Sequence, residues 1–335
     1  PNDFVEGIDA GTWKALNESL EKPLYNRPLK GIYPPGSTYK PFMALAALET
    51  GKRTPSQSIS DPGFFTFGNH TFRDDKVGGH GSVDMAKSIV ESCDTYYYHL
   101  ARDMGVNMMH DFMKPLGFGQ ITGIDLEGEI RGILPSTAWK ERSFKKPEQQ
   151  KWYEGETISL GIGQGYNSFS ILQLAHATAN LANQGVVMKP HLVKSIEDPI
   201  SKERTLTTPK ESYKIPLKKE NIDVITNAML DVNRFGTSAA AFKGASYNAA
   251  GKTGTAQVFS LNSKSYSHSS TPEFLRDHAL YIVFAPAEKP KIAIAMVVEN
   301  AGFGAAQAAP IARKALDYYI EGRWPKEIPE WKNAP

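Results

Sequence analysis

The chain has 335 residues, of which 41% are hydrophobic, and its 38 basic and 36 acidic residues leave a net charge of +2. This is the composition of a folded globular protein, and no block of like charges indicates a nucleic-acid-binding arm. One cysteine excludes an internal disulfide, and no apolar run reaches the roughly 18 residues that a membrane-spanning helix needs.

Helices separated by breakers dominate the predicted N-terminal half. Residues 1–36 are rich in Pro, Asn and Gly and lack a sustained hydrophobic period. Apolar residues at helical spacing predict a helix over 41–49, which Gly51 ends. The breakers DPGFF, GNH and GGHG predict a loop over 55–82. Two more helices are predicted, at 83–105 and 108–116.

The C-terminal half adds a predicted sheet. Turns and a charged stretch fill 117–155, and helices are predicted at 171–183 and near 221–232. Three β-branched, apolar segments then predict strands, the last two forming an antiparallel hairpin: KTGTAQVF (252–259), HALYIVFA (278–285) and KIAIAMVVE (291–299). The polar segment 259–274 predicts a mobile loop, and an alanine-rich helix is predicted at 305–320. Helices followed by a sheet indicate an α+β fold.

Ser37 and Lys40 form a Ser-x-x-Lys pair at the start of the helix predicted at 41–49. Residues three apart on a helix share one face. A serine becomes a nucleophile when a base takes its proton, and burial or a second cation lowers the pKa of a lysine enough for that task. The N–H groups of a helix N-terminus suit a developing oxyanion. We therefore hypothesise an acylation site at Ser37.

The pattern alone is weak, because Ser-x-x-Lys also begins at Ser19 and Ser143. A helix cap with a solvated lysine explains any one copy. Only the Ser37 copy follows a rigid Pro-Pro-Gly entry and precedes a long apolar helix. Lys252-Thr253-Gly254 supplies a second element, since Ser-x-x-Lys followed by Lys-Thr-Gly is part of the signature of penicillin-binding proteins and β-lactamases.

The middle element of that signature is Ser-x-Asn or a relative of it, and four serines fit loosely. Ser260 lies after Lys252, and Ser246 lies too close to the strand to stand on a separate wall. Of the other two, Ser82 and Ser92, we favour Ser92-Cys93-Asp94, which lies at a helix-loop setting before the aromatic run 96–98. As a bare tripeptide it would be interpreted as a turn or cap.

With these residues in place, the chain resembles the transpeptidase domain of class B penicillin-binding proteins, and in particular the elongation-specific penicillin-binding protein 2 subgroup. The resemblance runs almost end to end. It is carried by YPPGSTYKP (33–41), ESCDTYYY (91–98), TGIDLEGE (122–129), GIGQGY (161–166), GKTGTAQVF (251–259), RDHALYIVFAP (276–286) and VVEN (297–300).

The resemblance implies a penicillin-binding/β-lactamase-like fold, in which an antiparallel sheet flanked by helices and a helical lobe enclose the active cleft. The transpeptidase domain would cover 1–335, with the helical lobe mostly within 52–160 and the sheet with its terminal helices mostly within 1–51 and 186–335. The chain opens at a proline and shows no signal peptide. We expect a fragment or processed product whose inner-membrane anchor lies upstream of a periplasmic catalytic domain.

Roles for the signature residues follow from the resemblance. Ser37 would be acylated by the penultimate D-Ala of a peptidoglycan stem peptide, with Lys40 as general base. Ser92 would relay protons between Lys40 and Lys252. The acyl group would pass to an amine of a neighbouring stem, and β-lactams would trap Ser37.

The third element would bind the substrate. The backbone N–H groups of Ser37 and Thr255 would form the oxyanion hole, and the hydroxyls of Thr253 and Thr255 would hold the substrate carboxylate. Gly254 would let the strand approach the ligand closely. Asp94 stands where many relatives have Asn. The subgroup leads us to expect this aspartate, but a carboxylate cannot donate an amide N–H, which leaves its part in substrate binding open.

The resemblance also implies a structural zinc ion and protein partners. The four zinc ligands would be Asp61, Asp74, His80 and Cys93, with Asp75 as the alternative second carboxylate. Four protein ligands leave no open position for catalysis. No organic cofactor is implied. A RodA-type glycosyltransferase and an MreC-type scaffold would bind through upstream regions.

Other interpretations carry less support. GIGQG departs from the dinucleotide fingerprint at Tyr166, and no βαβ pattern surrounds it. A class A β-lactamase would need a glutamate to activate water; Glu154 and Glu156 lie in the right region but without an E-x-x-L-N pattern. A D,D-carboxypeptidase, and a sensor domain that β-lactams acylate once, share the three signature elements.

Overall fold

The computed structural model of the chain describes residues 2–258 and 271–325. Its α-helices are α1 Ala10–Glu18, α2 Arg27–Lys30, α3 Lys40–Glu49, α4 Met85–Val90, α5 Asp94–Met113, α6 Thr137–Ser143, α7 Pro147–Gln150, α8 Glu154–Ile158, α9 Ile171–Ala182, α10 Lys219–Arg234, α11 Ala239–Phe242 and α12 Gly304–Glu321. Short 3-10 helices lie at Asn2–Phe4, Gly36–Tyr39, Ser159–Ile162 and Glu273–Leu275.

The strands pair antiparallel throughout the described residues. They are β1 Ile32–Tyr33, β2 Ile59–Asp61, β3 Phe64–Phe67, β4 His70–Arg73, β5 Gly81–Val83, β6 Phe169–Ser170, β7 Val186–Lys189, β8 Ser195–Glu197, β9 Arg204–Leu206, β10 Lys210–Lys214, β11 Ala250–Ala256, β12 His278–Ala285 and β13 Ile292–Val298. The predicted α+β class is therefore present in the helices and strands.

A three-stranded sheet in the order β11-β12-β13 forms the centre of the C-terminal half. Strands β12 and β13 form the predicted antiparallel hairpin. Nearly every residue of β12 is buried, because successive side chains enter two different cores. Leu280 packs into the main core and Tyr281 into a second core that includes residues of α12. This covering of both faces explains why the segment HALYIVFA is continuously apolar.

The main core surrounds α3, the helix that follows Ser37. From Lys40 to Leu48 every residue of α3 is buried. The cluster also contains residues of α5, α9 and α10. The predicted helix at 41–49 is thus confirmed, and so are those at 171–183, 221–232 and 305–320, with ends displaced by one or two residues.

Two predictions about the first hundred residues were wrong. The segment 55–82 contains β2, β3, β4 and most of β5, where we expected a loop. Strands β3 and β4 form a hairpin whose two-residue turn is Gly68-Asn69, with Gly68 at φ +57°. Glycine at a left-handed position is what a tight hairpin turn requires. The breakers therefore mark turns between short strands.

The single helix predicted at 83–105 is two helices. Helix α4 ends at Val90, and α5 begins at Asp94. Between them Ser92 adopts φ +62°, a left-handed conformation that is uncommon for a residue other than glycine. Helix α5 has its own kink at Gly105 and continues to Met113, which joins it to the helix predicted at 108–116.

The segment before Ser37 is attached to the far end of the sheet. Tyr33, in β1, donates a hydrogen bond from its hydroxyl to Glu299 at 2.6 Å, and the Arg27 Nε group donates to the same carboxylate at 2.7 Å. Glu299 directly follows β13. The turn that carries Ser37 is therefore approached by a chain whose position the sheet fixes.

Three sequence predictions lie beyond this description. Most of the mobile loop expected at 259–274 falls on 259–270, outside the described residues. The division into a lobe within 52–160 and a sheet portion stays a prediction. Among helices of the described ranges, none combines the length and hydrophobicity of a membrane span.

We expect Gly304→Ala to destabilise the protein. A Cβ at Gly304, the first residue of α12, would lie 2.2 Å from the Leu280 carbonyl oxygen and 2.3 Å from that of Gly254. Backbone atoms of two strands cannot move aside easily, so we expect a loss of about 1–3 kcal/mol in unfolding free energy, measured by urea denaturation. Gly155→Ala is the control, because only Phe67 lies at the 4.0 Å limit there. Equal stability of the two variants would contradict the expectation.

Candidate active site

Ser37 lies on a tight 3-10 turn between a glycine loop and strand β11. Gly36 adopts φ +53°, and its N–H donates to the Gly163 carbonyl at 3.1 Å. A Cβ on Gly36 would lie 2.5 Å from the Thr255 carbonyl oxygen, and one on Gly163 would lie 2.4 Å from the Gly36 carbonyl oxygen. Glycine is therefore required on both sides for the loop, the turn and the strand to meet.

Lys40 begins α3, three residues after Ser37, and is fully buried. Its ammonium donates to the Asp94 Oδ1 atom and to the Ser92 carbonyl, each at 2.5 Å. It also donates to the Ser92 hydroxyl at 3.2 Å. The ammonium group is thus held by an ion pair with Asp94 and by two hydrogen bonds to Ser92, which lies between α4 and α5.

Lys252, on β11, reaches the same hydroxyl from the opposite side. Its amino group lies 2.8 Å from Ser92 Oγ and 3.2 Å from the Thr253 carbonyl oxygen. The Ser92 hydroxyl therefore joins two lysines that are 212 residues apart in sequence, a separation given by positions 40 and 252. The unusual backbone of Ser92 aims both its carbonyl and its hydroxyl at Lys40.

The two lysines differ in their partners. Lys40 has the carboxylate of Asp94, whereas the hydrogen-bond partners of Lys252 within the described residues are a hydroxyl and a carbonyl. Burial lowers the pKa of Lys252 well below its ordinary value, and the nearby Lys40 ammonium lowers it further. A buried cation without a carboxylate partner loses its proton more readily.

Asp94 has a structural role that the sequence did not reveal. Because it pairs with Lys40, its carboxylate compensates a buried charge at the entrance of α5. Burial raises the pKa of Asp94, while the Lys40 ammonium opposes that rise. Asp94 also lines the cleft.

The Ser37 hydroxyl faces the cleft and is not hydrogen bonded to any described residue, Lys40 included. In this state Lys40 is directed at Ser92 and Asp94. Contacts that move protons are often long in free enzymes and shorten when substrate binds. The role of Lys40 as the base for Ser37 stays a prediction, whereas its burial is a feature of the fold.

A cleft of about 520 Å³ opens over Ser37. Ser37, Ser92 and Asp94 lie on one side, and Thr253, Gly254 and Thr255 of β11 lie on the other. Its further lining residues are Asp74, Asp75, Ile162, Gln164, Thr237, Gln257, Asp277, Phe303, Gly304 and Ala305. The three signature elements predicted from the sequence are thus brought to one cavity, with Lys40 and Lys252 buried beneath it.

Sequence reasoning missed Thr237 and Gln164. The Thr237 hydroxyl lies 2.7 Å from that of Thr253, which orients a side chain expected to bind a carboxylate. Gln164 donates from its side-chain amide to the Thr255 carbonyl at 3.2 Å. The motif GIGQG could have pointed to Gln164. A single threonine in a loop carries no pattern that would have pointed to Thr237.

The four predicted metal ligands also come together. Each of Asp61, Asp74, His80 and Cys93 is buried, and one ligand atom of each lies within 4.8 Å of all the others. The His80 Nδ1 atom is 2.7 Å from Asp61 and 3.5 Å from Asp74. The Cys93 sulfur is 3.4 Å from both carboxylates. Asp75, the alternative, is exposed and is not a member of this cluster.

The chemistry of this cluster fits a divalent cation. Two carboxylates, an imidazole and a thiol are buried within contact distance, and these are the usual zinc donors. Burial and the neighbouring Asp74 and Asp61 carboxylates raise the pKa of Cys93. A cation among these atoms would neutralise the carboxylates and favour the thiolate. Zinc occupancy itself stays a prediction.

The residues behind the β-lactamase and dinucleotide-binding interpretations make contacts that do not fit those functions. Glu156 binds the Lys140 ammonium with both carboxylate oxygens at 2.5 Å, so it is committed to an ion pair. GIGQG connects the 3-10 helix Ser159–Ile162 with the chain before β6, and its Gly163 carbonyl receives the Gly36 N–H. The glycines allow the Ser37 turn to approach closely and do not follow a strand as a dinucleotide-binding loop does.

Comparisons with known proteins place these features in a family. The chain is 42% identical over 335 residues to peptidoglycan D,D-transpeptidase MrdA of Haemophilus influenzae, covering 97% of this chain and 50% of that protein. Its fold is similar to Pseudomonas aeruginosa PBP2 in complex with WCK 5153, with 39% identity, a TM-score of 0.82, and coverage of 98% of this chain and 71% of that one.

A complex between PBP2 and MreC from Helicobacter pylori contains another similar chain. It gives 32% identity and a TM-score of 0.80, over 96% of this chain and 56% of that one. The chain thus spans about half the length of the curated relatives it matches. The expected penicillin-binding/β-lactamase-like fold, with its sheet, flanking helices and cleft, is confirmed by these structures.

The chain matches the protein family described as "Penicillin binding protein transpeptidase domain" over residues 1–317. It includes all of the residues that line the cleft and all four members of the buried cluster. The chain belongs to the penicillin-binding protein transpeptidase domain family.

Proposed function

We propose that this chain catalyses D,D-transpeptidation of peptidoglycan stem peptides during cell elongation, through an acyl-enzyme on Ser37. The observation that carries the proposal is the position of the Ser92 hydroxyl, 2.8 Å from the Lys252 amine and 3.2 Å from the Lys40 amine, beneath a cleft that Ser37 enters. The 42% identity to a protein named peptidoglycan D,D-transpeptidase supports it.

The first half-reaction forms the acyl-enzyme. Ser37 Oγ attacks the carbonyl carbon of the penultimate D-Ala, and the bond to the terminal D-Ala breaks. The Lys40 ammonium first passes a proton through Ser92 to the neutral Lys252 amine, and the Lys40 amine then takes the Ser37 proton. The Lys252 ammonium returns a proton through Ser92 to the leaving amine of the terminal D-Ala. Backbone N–H groups of Ser37 and Thr255 stabilise the oxyanion between these two steps.

The second half-reaction forms the cross-link. An amine of a neighbouring stem attacks the ester carbonyl and gives up one proton, which passes through Ser92 and Lys40 to Ser37 as the Ser37 ester breaks. Thr253 and Thr255 hold the terminal carboxylate in the first half-reaction, with Thr237 orienting Thr253. β-Lactams carry a carboxylate beside a reactive amide and would occupy the same contacts.

Ser92 provides a proton path between the two amines. A serine hydroxyl has two acceptor lone pairs and one hydrogen. With both lysines charged, both lone pairs accept, and the hydrogen is left for a group in the cleft. With Lys252 neutral, the Ser92 hydrogen can move to that amine while Lys40 donates to Ser92. Lys40 is then a neutral amine that can take the Ser37 proton.

The buried cluster would hold one zinc ion in a structural role. Asp61, Asp74, His80 and Cys93 would be the ligands, and the ion would stabilise the segment from β2 to β5 against the residue next to Ser92. Four protein donors would leave no place for substrate. Zinc is proposed because the donor atoms already lie close together and buried.

The relatives suggest a setting for the whole protein. One similar chain is described in a complex of PBP2 and MreC. We propose an MreC-type scaffold and a RodA-type glycosyltransferase as partners, bound through regions outside the described residues. The catalytic domain would lie in the periplasm on an inner-membrane anchor.

The direct test of the proposed nucleophile is intact mass after incubation with penicillin. We expect one added drug mass on the wild type, located by peptide mapping on Ser37, and none on Ser37→Ala. The adduct must persist for many minutes, since rapid hydrolysis would indicate a β-lactamase. An adduct on another serine would contradict the proposal. A domain that binds drug but never passes an acyl group from a stem-peptide analogue to an amine would be a sensor.

Acylation should depend on pH through Lys252. Its pKa is lowered by burial and by Lys40, so the neutral amine that the proton path needs persists to lower pH than in an ordinary lysine. As pH falls through that lowered pKa, Lys252 becomes charged and the acylation rate constant should fall. Lys252→Arg keeps the charge at every accessible pH and should be slow throughout. A rate that rises on acidification in the wild type would argue against this path.

Removing the metal should affect stability and acylation together. Binding energy at a buried structural site is also folding energy, so rigorous chelation should lower the melting temperature and slow penicillin acylation. Elemental analysis should give about one zinc per chain. Cys93→Ser should lose the metal and give the same lowered melt without chelator, while Asp75→Asn should retain the metal. An unchanged melting temperature after chelation, with no metal detected, would contradict the proposed zinc site.

A further inference from the structure

Lys140, on α6, is a buried lysine outside the cleft. Its side chain is 4% exposed, and its ammonium lies 2.5 Å from both carboxylate oxygens of Glu156 on α8. Four aromatic rings surround the ammonium at 5.4–6.0 Å from their centroids, and they belong to Phe144, Trp152, Tyr153 and Tyr166. We name these six residues the Lys140 cage.

Desolvating a lysine is unfavourable unless its surroundings replace water. The Glu156 carboxylate supplies the opposite charge, and ring faces within about 6 Å attract a cation. Buried ion pairs add little net stability compared with apolar side chains of similar size, although removing one partner is strongly destabilising. The cage is therefore better suited to fixing positions than to increasing overall stability.

Glu156 connects Lys140 to two tyrosines of the same chain. Its Oε1 atom accepts from the Tyr166 hydroxyl at 3.1 Å, and its Oε2 atom accepts from the Tyr153 N–H at 3.0 Å. The Tyr166 ring also packs against Trp139 of α6, with centroids 5.1 Å apart. Tyr166 is thus held by a ring contact, a hydrogen bond and a cation.

Tyr166 ends the segment 161–166, in which Gly163 contacts the turn that carries Ser37 and Gln164 contacts β11. Gly163 receives the N–H of Gly36, the residue before Ser37, at 3.1 Å. Gln164 lines the cleft and donates to the Thr255 carbonyl at 3.2 Å. Only Gln164 and Gly165 separate the caged tyrosine from the glycine that contacts the Ser37 turn.

We propose that the Lys140 cage is a positioning cluster for the acylation step: it anchors Tyr166 so that Gly163 and Gln164 hold the Ser37 turn against β11. The proposal rests on the proposed function of Ser37. Lys140 touches neither the substrate nor a reacting atom, and it acts only through Tyr166. Its loss should slow bond formation at Ser37 more than it weakens the first, non-covalent contact with a β-lactam.

The experiment separates positioning from stability by using a matched control. Arg313, on α12, is also a largely buried cation, paired with Asp317 at 2.5 Å and lying 5.8 and 5.7 Å from the rings of Phe242 and Tyr247. It packs by the second core and is not among the residues that line the cleft. Lys140→Met and Arg313→Met therefore remove comparable interactions at different distances from Ser37.

For each variant, stopped-flow acylation by a chromogenic cephalosporin would give the non-covalent dissociation constant and the acylation rate constant, well below both melting temperatures. We expect Lys140→Met to lower the rate constant roughly tenfold, within the loss that a misplacement of about 1 Å causes, with a smaller change in the dissociation constant. Lys140→Arg should restore much of the rate. Tyr166→Phe, which keeps the ring and the ion pair, should give a partial loss of the same constant.

Arg313→Met should lower the melting temperature but leave the acylation rate constant unchanged. If Lys140→Met and Arg313→Met slow acylation equally, or if Lys140→Met and Tyr166→Phe both acylate at the wild-type rate, the positioning role is wrong. Should Lys140→Met fail to fold, Tyr166→Phe decides the matter by the same comparison. Absence of any adduct on the wild type would instead overturn the proposed function.

Discussion

The cleft depends on one hydroxyl group that two buried lysines share. Ser92 Oγ lies 2.8 Å from Lys252 and 3.2 Å from Lys40, and only Lys40 pairs with a carboxylate, that of Asp94. Two ammonium groups this close repel each other, and burial disfavours both charges. The two lysines are therefore stable side by side only if a nearby carboxylate compensates one positive charge or one lysine loses its proton. The break between α4 and α5 places Ser92 at this point, and Ser37 lies directly above it.

Three consecutive residues connect the cleft to the buried cluster. Ser92 binds both lysines, Cys93 points into the cluster with Asp61 and Asp74, and Asp94 returns to Lys40. The left-handed backbone of Ser92 and the start of α5 at Asp94 let these three side chains point to different places. We therefore expect a change in the packing of Cys93 to shift Ser92, which would couple the proposed zinc site to the proposed proton path.

The sequence predicted what local pattern and family resemblance determine. Apolar periodicity gave α3, α9 and the β12–β13 hairpin, the Ser-x-x-Lys and Lys-Thr-Gly patterns gave Ser37 and Lys252, and the resemblance gave the four cluster residues. The helix break at Ser92 was missed, because contacts with Lys40 and Lys252 set it and local propensity does not. The Lys140 cage lies partly within the segment KERSFKKPEQQK, whose composition predicts a solvated charged surface. The structure instead packs the Lys140 ammonium against the rings of Trp152 and Tyr166.

The central claim is that Lys252 is the buried amine without a carboxylate partner and therefore the one that gives up its charge. Titration of its Nζ group by nuclear magnetic resonance, assigned with Lys252→Arg, tests this directly. The account predicts a midpoint below the value of about 10.4 for an ordinary lysine, moving upward when Lys40→Met removes the neighbouring charge. A midpoint at or above the ordinary value, unaffected by Lys40→Met, would contradict it.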